Sequence, residues 1–283
     1  MEPVDVTDSP AAAPLTGVAA GVPYVALPPA GGARRAPLVV VWHGLGSPGS
    51  QHAMAAALPM ARLPAWRTYL RLPTLAAGAP ASGAEELVRP GAEGVVLRQP
   101  GPVIEQAVAG FPAVVAALRV QLKPAAGPIG LVGGSVGAVV ALLILAEGAV
   151  PVQAAALVRP AVQLERATLG NRRTEAAGAV AERLDVVARA HQIAARDPQP
   201  ALLLVIGARD DAGIREPAER LWHTLAGRYR DPGRVALLVV PDLRNVLAEE
   251  PGPHPVPRTP GAARVDAAVT GWLDRHLTSR EAS

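Results

Sequence analysis

Residues Gly133-Gly134-Ser135-Val136-Gly137 fit the pattern G-x-S-x-G, and their surroundings give the pattern a mechanism. The apolar run Ile129-Gly-Leu-Val132 precedes it, and Ala138 to Ala146 is wholly apolar. That order reads as strand, tight turn, buried helix. A serine on so sharp a strand-to-helix turn presents its hydroxyl above the sheet edge, at the positive end of the following helix. Small neighbours permit the strained backbone and close packing that such a turn needs. The chemistry on offer is nucleophilic attack by Ser135. The competing reading is a glycine-rich turn with no reactive role, because a chain with 28 glycines meets a five-residue pattern by chance. The apolar strand before it and the apolar helix after it favour the nucleophile.

With that turn in place the chain resembles the α/β-hydrolase family over roughly residues 22–277. In that family the loop after an early strand begins His-Gly and donates a backbone N–H to an oxyanion hole, and here the loop is Trp42-His43-Gly44-Leu45-Gly46-Ser47. The resemblance implies that the N–H groups of Leu45 and Val136 hold the developing oxyanion, and two fixed donors in a dry site are worth about 3–4 kcal/mol each. His43 then orders the loop, His43 and Gly44 stand beside the substrate pocket, and Trp42 either contacts substrate there or is a buried scaffold residue. The family's acid follows the strand after a helical insertion. Ile206-Gly207-Ala208-Arg209-Asp210-Asp211 matches, with Asp210 the first choice and Asp211 the alternative. Capping of a helix that starts near Ile214 accounts for one aspartate of the pair but not both.

The third member breaks the pattern. The family places its histidine just after the last strand, where this chain reads Val240-Pro-Asp-Leu-Arg-Asn-Val-Leu-Ala-Glu-Glu-Pro251, and Asn245 occupies the expected position. An amide cannot take a proton from Ser135, so the Ser–His–Asp relay is incomplete as written. Losing the base of such a triad costs on the order of 10^6 in turnover. Three explanations stay open: a replacement that traps a substrate complex or acyl-enzyme, a natural departure toward cyclisation or elimination, or a site that binds a ligand without turning it over. His254, in Pro253-His254-Pro255 of the same loop, is the candidate substitute base. His191 faces the apolar side of a helix expected over the pocket. His52, His223 and His276 fall on expected helices as solvated or packed residues. No two histidines have metal-ligand spacing, and no metal or other cofactor is implied.

The elements that must position these residues alternate strand and helix. Val22–Leu27, Pro37–Trp42, Trp66–Leu72, Ile129–Val132, Val152–Val158, Ala201–Ile206 and Arg234–Val240 read as strands, several of them continuous apolar runs of the kind buried on both faces. Gln51–Met60 reads as a helix, and so does the stripe Ile104, Val108, Phe111, Val115, Leu118 and Leu122, where Pro112 either starts the main helix or kinks a longer one. A last helix spans about 262–277. The expected fold is therefore α/β, a doubly wound, mostly parallel sheet with a helical lid inserted at about 160–200, where Ala176, Val180, Leu184, Val187, His191 and Ala194 form a stripe. Residues 1–20 read as a poorly ordered arm and 21–283 as a single domain. The span Leu72 to Pro102 carries no clear signal.

Composition agrees with a packed enzyme-sized domain. The 283 residues are 50% hydrophobic and 18% charged, which excludes a disordered tail or a coiled coil. Lys123 is the sole lysine, so the net charge of +3 is carried by arginine, scattered without an aromatic-interleaved stripe. Nucleic acid is therefore not an expected partner. With no cysteine there are no disulfides or thiolate ligands. Residues 1–15 lack the apolar core of a secretory signal, and the longest wholly apolar run is half a bilayer span, so a cytoplasmic protein with no membrane partner is expected. The partner implied is a small-molecule substrate; oligomeric state is left open. The resemblance thus implies a serine-hydrolase-type enzyme acting on a small apolar ester, thioester, lactone or amide, against a non-hydrolytic enzyme or a binding protein.

Overall fold

The computed structural model describes residues 13–33, 35–44, 46–73, 88–91, 94–97, 100–162, 184–243, 247–250 and 252–277. Eight strands form one sheet: β1 (Leu15–Ala19), β2 (Val22–Leu27), β3 (Leu38–Trp42), β4 (Trp66–Leu70), β7 (Ile129–Gly134), β8 (Val152–Val158), β9 (Ala201–Gly207) and β10 (Val235–Val240). Their order across the sheet is β1-β2-β4-β3-β7-β8-β9-β10. Pairings β1/β2 and β2/β4 are antiparallel, and every pairing from β4/β3 to β9/β10 is parallel. A separate antiparallel pair, β5 (Val88–Gly91) and β6 (Gly94–Leu97), falls inside the span that the sequence left unassigned.

Helices cover both faces, as a largely parallel sheet requires. On one face lie α1 (Gln51–Ala57) and α6 (Pro260–Leu277), whose Met54, Ala57, Val265, Val269 and Leu273 pack with Val39, Val41, Val132 and Val205. On the other lie α2 (Pro100–Leu122), α3 (Val136–Glu147), the short α4 (Ala190–Ala194) and α5 (Ala212–Ala226), over Leu38, Val40, Leu131, Leu202 and Leu204. Alternate residues of each strand thus serve opposite faces, although the strands read as continuous apolar runs. Close approach needs small residues: a side chain at Gly130 would lie 2.9 Å from Leu277 on α6.

One feature departs from the sequence reading and a second narrows it. Leu15–Ala19 belongs to the expected disordered arm yet forms β1, joined to β2 by a tight turn at Ala20 and Gly21 with φ of 47° and 83°. Both turn residues are left-handed, as a two-residue hairpin that follows strand twist requires. As an edge strand, mostly exposed, β1 shows little hydrophobic alternation, so its signal lies in pairing and not in composition. Of the two readings of Pro112, the start of the main helix gives way to the longer helix: α2 runs past it, with the proline ring exposed and the Val108 carbonyl deprived of its helical donor.

Two helical segments stand out beside the sheet. The one expected at 160–200 is described from residue 184, where it holds α4; residues 163–183 lie outside the described residues, as do 1–12. The longer one is α2, between β4 and β7, and as an insertion it fits a lid. The Gly101–Leu122 stretch is long and apolar enough by composition to cross a membrane, but its apolar stripe, from Val103 to Leu118, is the face packed into the core. The apolar stretch 138–146 is buried throughout, enclosed by the sheet, α2 and α4.

Ser50 begins α1 and ties it to a distant loop. Its Oγ accepts from the Ala53 N–H at 3.1 Å and donates to the Pro253 carbonyl. Ser50→Ala is expected to lower the unfolding free energy by about 1 kcal/mol, read as a shifted denaturant midpoint at constant slope.

Candidate active site

Ser135 sits where β7 turns into α3, with φ 51° and ψ −114°. A left-handed φ at a non-glycine residue costs of order 1–3 kcal/mol and persists only where the surroundings enforce it. Those surroundings are visible. The Ser135 N–H donates to the Val158 carbonyl at 2.9 Å, and its carbonyl accepts from the Ala138 N–H at 3.0 Å. A side chain at Gly133 would lie 2.4 Å from the Gly137 carbonyl oxygen. One at Gly137 would lie 2.5 Å from the His43 carbonyl oxygen, and one at Gly44 3.2 Å from the Ser135 Cβ. The glycines of G-x-S-x-G therefore serve the fit between turn, helix and the loop after β3. The Ser135 side chain is half-buried and makes no capping bond to α3. Val136 is the first helical residue, where the helix itself leaves the N–H without a partner.

The loop after β3 is pinned by His43. Its Nε2 accepts from the Leu72 N–H at 3.1 Å, which fixes the tautomer, so Nδ1 carries the proton and donates to the Gly44 carbonyl. Both ring nitrogens are spent, which suits a loop-ordering residue. Burial pushes the imidazole pKa down to about 4, the Gly44 bond opposes that shift, and Arg71 adds to it. The sign follows: a folded-state pKa below the unfolded value means that the unfolded chain binds the proton first. Stability is full above about pH 6.5 and falls toward pH 4, by about 3 kcal/mol over the window. Urea midpoints at pH 7 and pH 4.5 are expected to show this loss, and His43→Gln to flatten it. Trp42 is fully buried in the core with its ring centroid 6.4 Å from Phe111, which is a scaffold position rather than a pocket wall. Leu45 lies outside the described residues.

The two aspartates after β9 separate cleanly. Asp211 is exposed and caps α5, accepting from the Ile214 N–H at 3.1 Å. Asp210 is buried; its Oδ2 accepts from the Gly207 N–H at 2.8 Å and its Oδ1 from Arg159 Nε at 2.7 Å. Arg159 is the residue that sequence reasoning missed. The one available signal was an arginine ending an otherwise apolar strand, Val152–Val158. It stands next to Val158, the residue that holds Ser135, so one strand end joins Ser135 to Asp210.

Asn245 lies outside the described residues, but both of its flanks are fixed. On one side the Leu243 carbonyl packs against Gly207, where an added side chain would lie 2.5 Å from that oxygen. On the other the Leu247 N–H donates to the Ser47 carbonyl at 3.3 Å. Ser47 Oγ donates to the Glu250 carbonyl at 3.1 Å, and the Gly49 N–H to the Gly252 carbonyl at 3.1 Å. The segment from 243 to 247 thus begins beside the Asp210 turn and ends beside the His43–Gly44 loop.

The remaining histidines are dispersed. His254 is exposed near the start of α1, and no hydrogen bond joins it to Ser135 or Asp210. His191 does not face an apolar side: it is exposed, with Nδ1 2.9 Å from the Ala188 carbonyl oxygen. Nor does the structure bring it to Ser135. Arg196 bonds α4 to the Leu145 and Ala146 carbonyls at the far end of α3, about 15 Å along the helix at 1.5 Å per residue. His52 and His223 are exposed, and His276 stacks on Trp272 with centroids 4.3 Å apart. Among the described residues no three His, Asp or Glu side chains gather as a metal would require.

No family model and no curated protein matches the chain. Solved structures do. The Thermus thermophilus protein TT1662 superposes with a TM-score of 0.68 at 20% identity, over 95% of this chain and 99% of that one. A dienelactone hydrolase from Anabaena variabilis gives 0.56 at 16%, over 93% and 98%. The Pyrococcus furiosus esterase Pf2001 gives 0.56 at 14%, over 94% and 92%. The fold is that of the α/β hydrolases.

Proposed function

We propose that this chain carries a serine-hydrolase-type site for a small ester, thioester, lactone or amide with an apolar acyl group. Ser135 is the nucleophile, Asp210 the acid, and the N–H groups of Leu45 and Val136 are the oxyanion donors. Asn245 stands at the base position. The observation that carries the reading is the strained turn at Ser135, held left-handed by the packing of Gly133, Gly137 and Gly44. Strain of that kind at a half-buried hydroxyl over a helix N-terminus has a use in attack on a carbonyl and none in packing alone. The anchored flanks of the 243–247 segment support residue 245 as the group between acid and nucleophile.

In the reaction, the Ser135 oxygen attacks the acyl carbon, its proton leaves to a base, and the oxyanion settles on the two amides. A chain with asparagine at 245 performs the binding and orientation steps and lacks the proton acceptor. The engagement of both Asp210 oxygens, by Arg159 and Gly207, supports a second reading, a site that holds a ligand or runs a non-hydrolytic cyclisation or elimination. Labelling with a fluorophosphonate, together with p-nitrophenyl ester assays of the chain, Ser135→Ala and Asn245→His, separates the two. Hydrolysis that appears with Asn245→His and vanishes with Ser135→Ala supports the first; silence in every variant supports the second.

A further inference from the structure

Arg159 is the side chain that touches the carboxylate at the acid position, and its placement is tightly determined. Its own N–H donates to the Val205 carbonyl at 2.7 Å, on the strand that leads to Asp210. Its φ is 48°, a conformation that an L residue with a long side chain rarely adopts. Its Nε meets Asp210 Oδ1 at 2.7 Å, with the carboxylate side chain 1% exposed and the guanidinium 14%. A charged pair so nearly withdrawn from water at the carboxyl edge of β8 and β9 is not a surface ion pair.

We propose that Arg159 is a positioning residue: it fixes Asp210 at the acid position, offsets its charge, and so sets how basic an imidazole beside Asp210 can become. The proposal rests on Asp210 being the acid. In a Ser–His–Asp relay the buried carboxylate orients the imidazole and stabilises the imidazolium that forms as the serine proton is taken. A guanidinium bonded to the same carboxylate removes most of that field, and its own charge disfavours the imidazolium. The two departures then agree. With asparagine at 245 the carboxylate faces no imidazolium, and Arg159 leaves it without an unpaired buried charge. Among the described residues, charged groups at this edge include Arg209 and Asp211, exposed on either side of Asp210; Asp242, ion-paired with Arg264 after β10; and Arg71, exposed after β4 near His43.

The test is the titration of the imidazole introduced by Asn245→His, followed by NMR with and without Arg159→Gln. With Arg159 present it is expected to titrate at or below the ordinary value of about 6.5, and with Arg159→Gln about one unit higher. The acid limb of kcat/KM for p-nitrophenyl acetate moves with it. Arg159→Lys, which keeps the charge, restores the low value. In an Asp210→Asn background the imidazole titrates lower than in the Asp210 parent, and Arg159→Gln still raises it, because the guanidinium charge also acts on the imidazole directly. Should Arg159→Gln fail to fold, Arg159→Met repeats the comparison with an apolar group at the same strand end. Equal titration with and without Arg159, or an Asp210→Asn change that leaves the imidazole titrating where it did, overturns the proposal. The titration needs no turnover, so it decides the role of Arg159 even where Ser135 takes no fluorophosphonate, a result that would overturn only the hydrolase reading.

Discussion

Replacing Asn245 by histidine is expected to raise p-nitrophenyl acetate hydrolysis at least a hundredfold over the unaltered chain, and Ser135→Ala to erase the whole gain. The magnitude follows from what is already present. A general base contributes about 10²–10⁴ to such reactions, and removing the histidine of a complete triad costs on the order of 10^6. On the proposed reading the strained serine turn, the helix N-terminus behind it and a buried carboxylate are the other parts of the site, so a base at 245 is the group to add. The gain stays below the ceiling because Asp210 is bonded to Arg159 rather than free to serve an imidazole alone. Initial rates on acetate and butyrate esters, with fluorophosphonate labelling of Ser135 as a second readout, give the answer. Rates that rise less than tenfold, with Ser135 unlabelled, would move the protein toward ligand binding or non-hydrolytic chemistry.

Much of the fold was legible because its signals are local and redundant. The runs from Leu38 to Trp42 and from Ala201 to Ile206 are apolar at every step, which only a strand buried on both faces accommodates at that length. Val152–Val158 was readable to the residue. What escaped is structure that pairing or context creates. β1 is an exposed edge strand whose two-residue turn, Ala20-Gly21, offers only one of the residues that favour left-handed angles. The hairpin of β5 and β6 lies in a Pro- and Gly-rich span where propensity argues against strands. Pro112 stands inside α2 because an exposed ring on a well-packed helix is tolerated when the opposite face holds the helix to the sheet.

The site was legible in its backbone and opaque in its charges. Ser135 could be found because the turn needs small residues at fixed offsets, and sequence displays those offsets directly. The resemblance put Asp210 ahead of Asp211, and the surroundings of the two differ by side-chain direction: Asp211 caps a helix and Asp210 reaches back to its own strand end. Arg159 was invisible for a related reason. Its partner is 51 residues away, and nothing in the order of residues reveals a pair formed between neighbouring strand ends. His191 illustrates the opposite error. A helical stripe placed it among apolar residues, but α4 is a single turn and turns that ring to solvent.

Gly137→Ala is expected to be strongly damaging for a single added methyl group, with a loss of about 3 kcal/mol or more. Inside a helix the same change ordinarily stabilises by about 1 kcal/mol, so propensity predicts the wrong sign and the collision must decide. An added Cβ would lie 2.5 Å from the His43 carbonyl oxygen and 2.6 Å from that of Trp42. Both are backbone atoms of β3 and its loop. No rotamer change relieves them; either α3 lifts from the sheet or the loop moves. Overpacking in a well-filled core costs about 1–3 kcal/mol when side chains can yield, and here they cannot. Gly110→Ala, on the exposed face of α2 with nothing within 4 Å of the new group, is the matched control and is expected to stabilise. Urea unfolding at pH 7 compares the two. Where Gly137→Ala folds at all, fluorophosphonate labelling of Ser135 in the Asn245→His background is expected to slow more than tenfold, because the displaced loop and the lifted helix carry the two proposed oxyanion donors. A Gly137→Ala protein as stable as its parent would mean that α3 does not rest on the β3 loop, and that this contact is not among those that hold Ser135 in its left-handed turn.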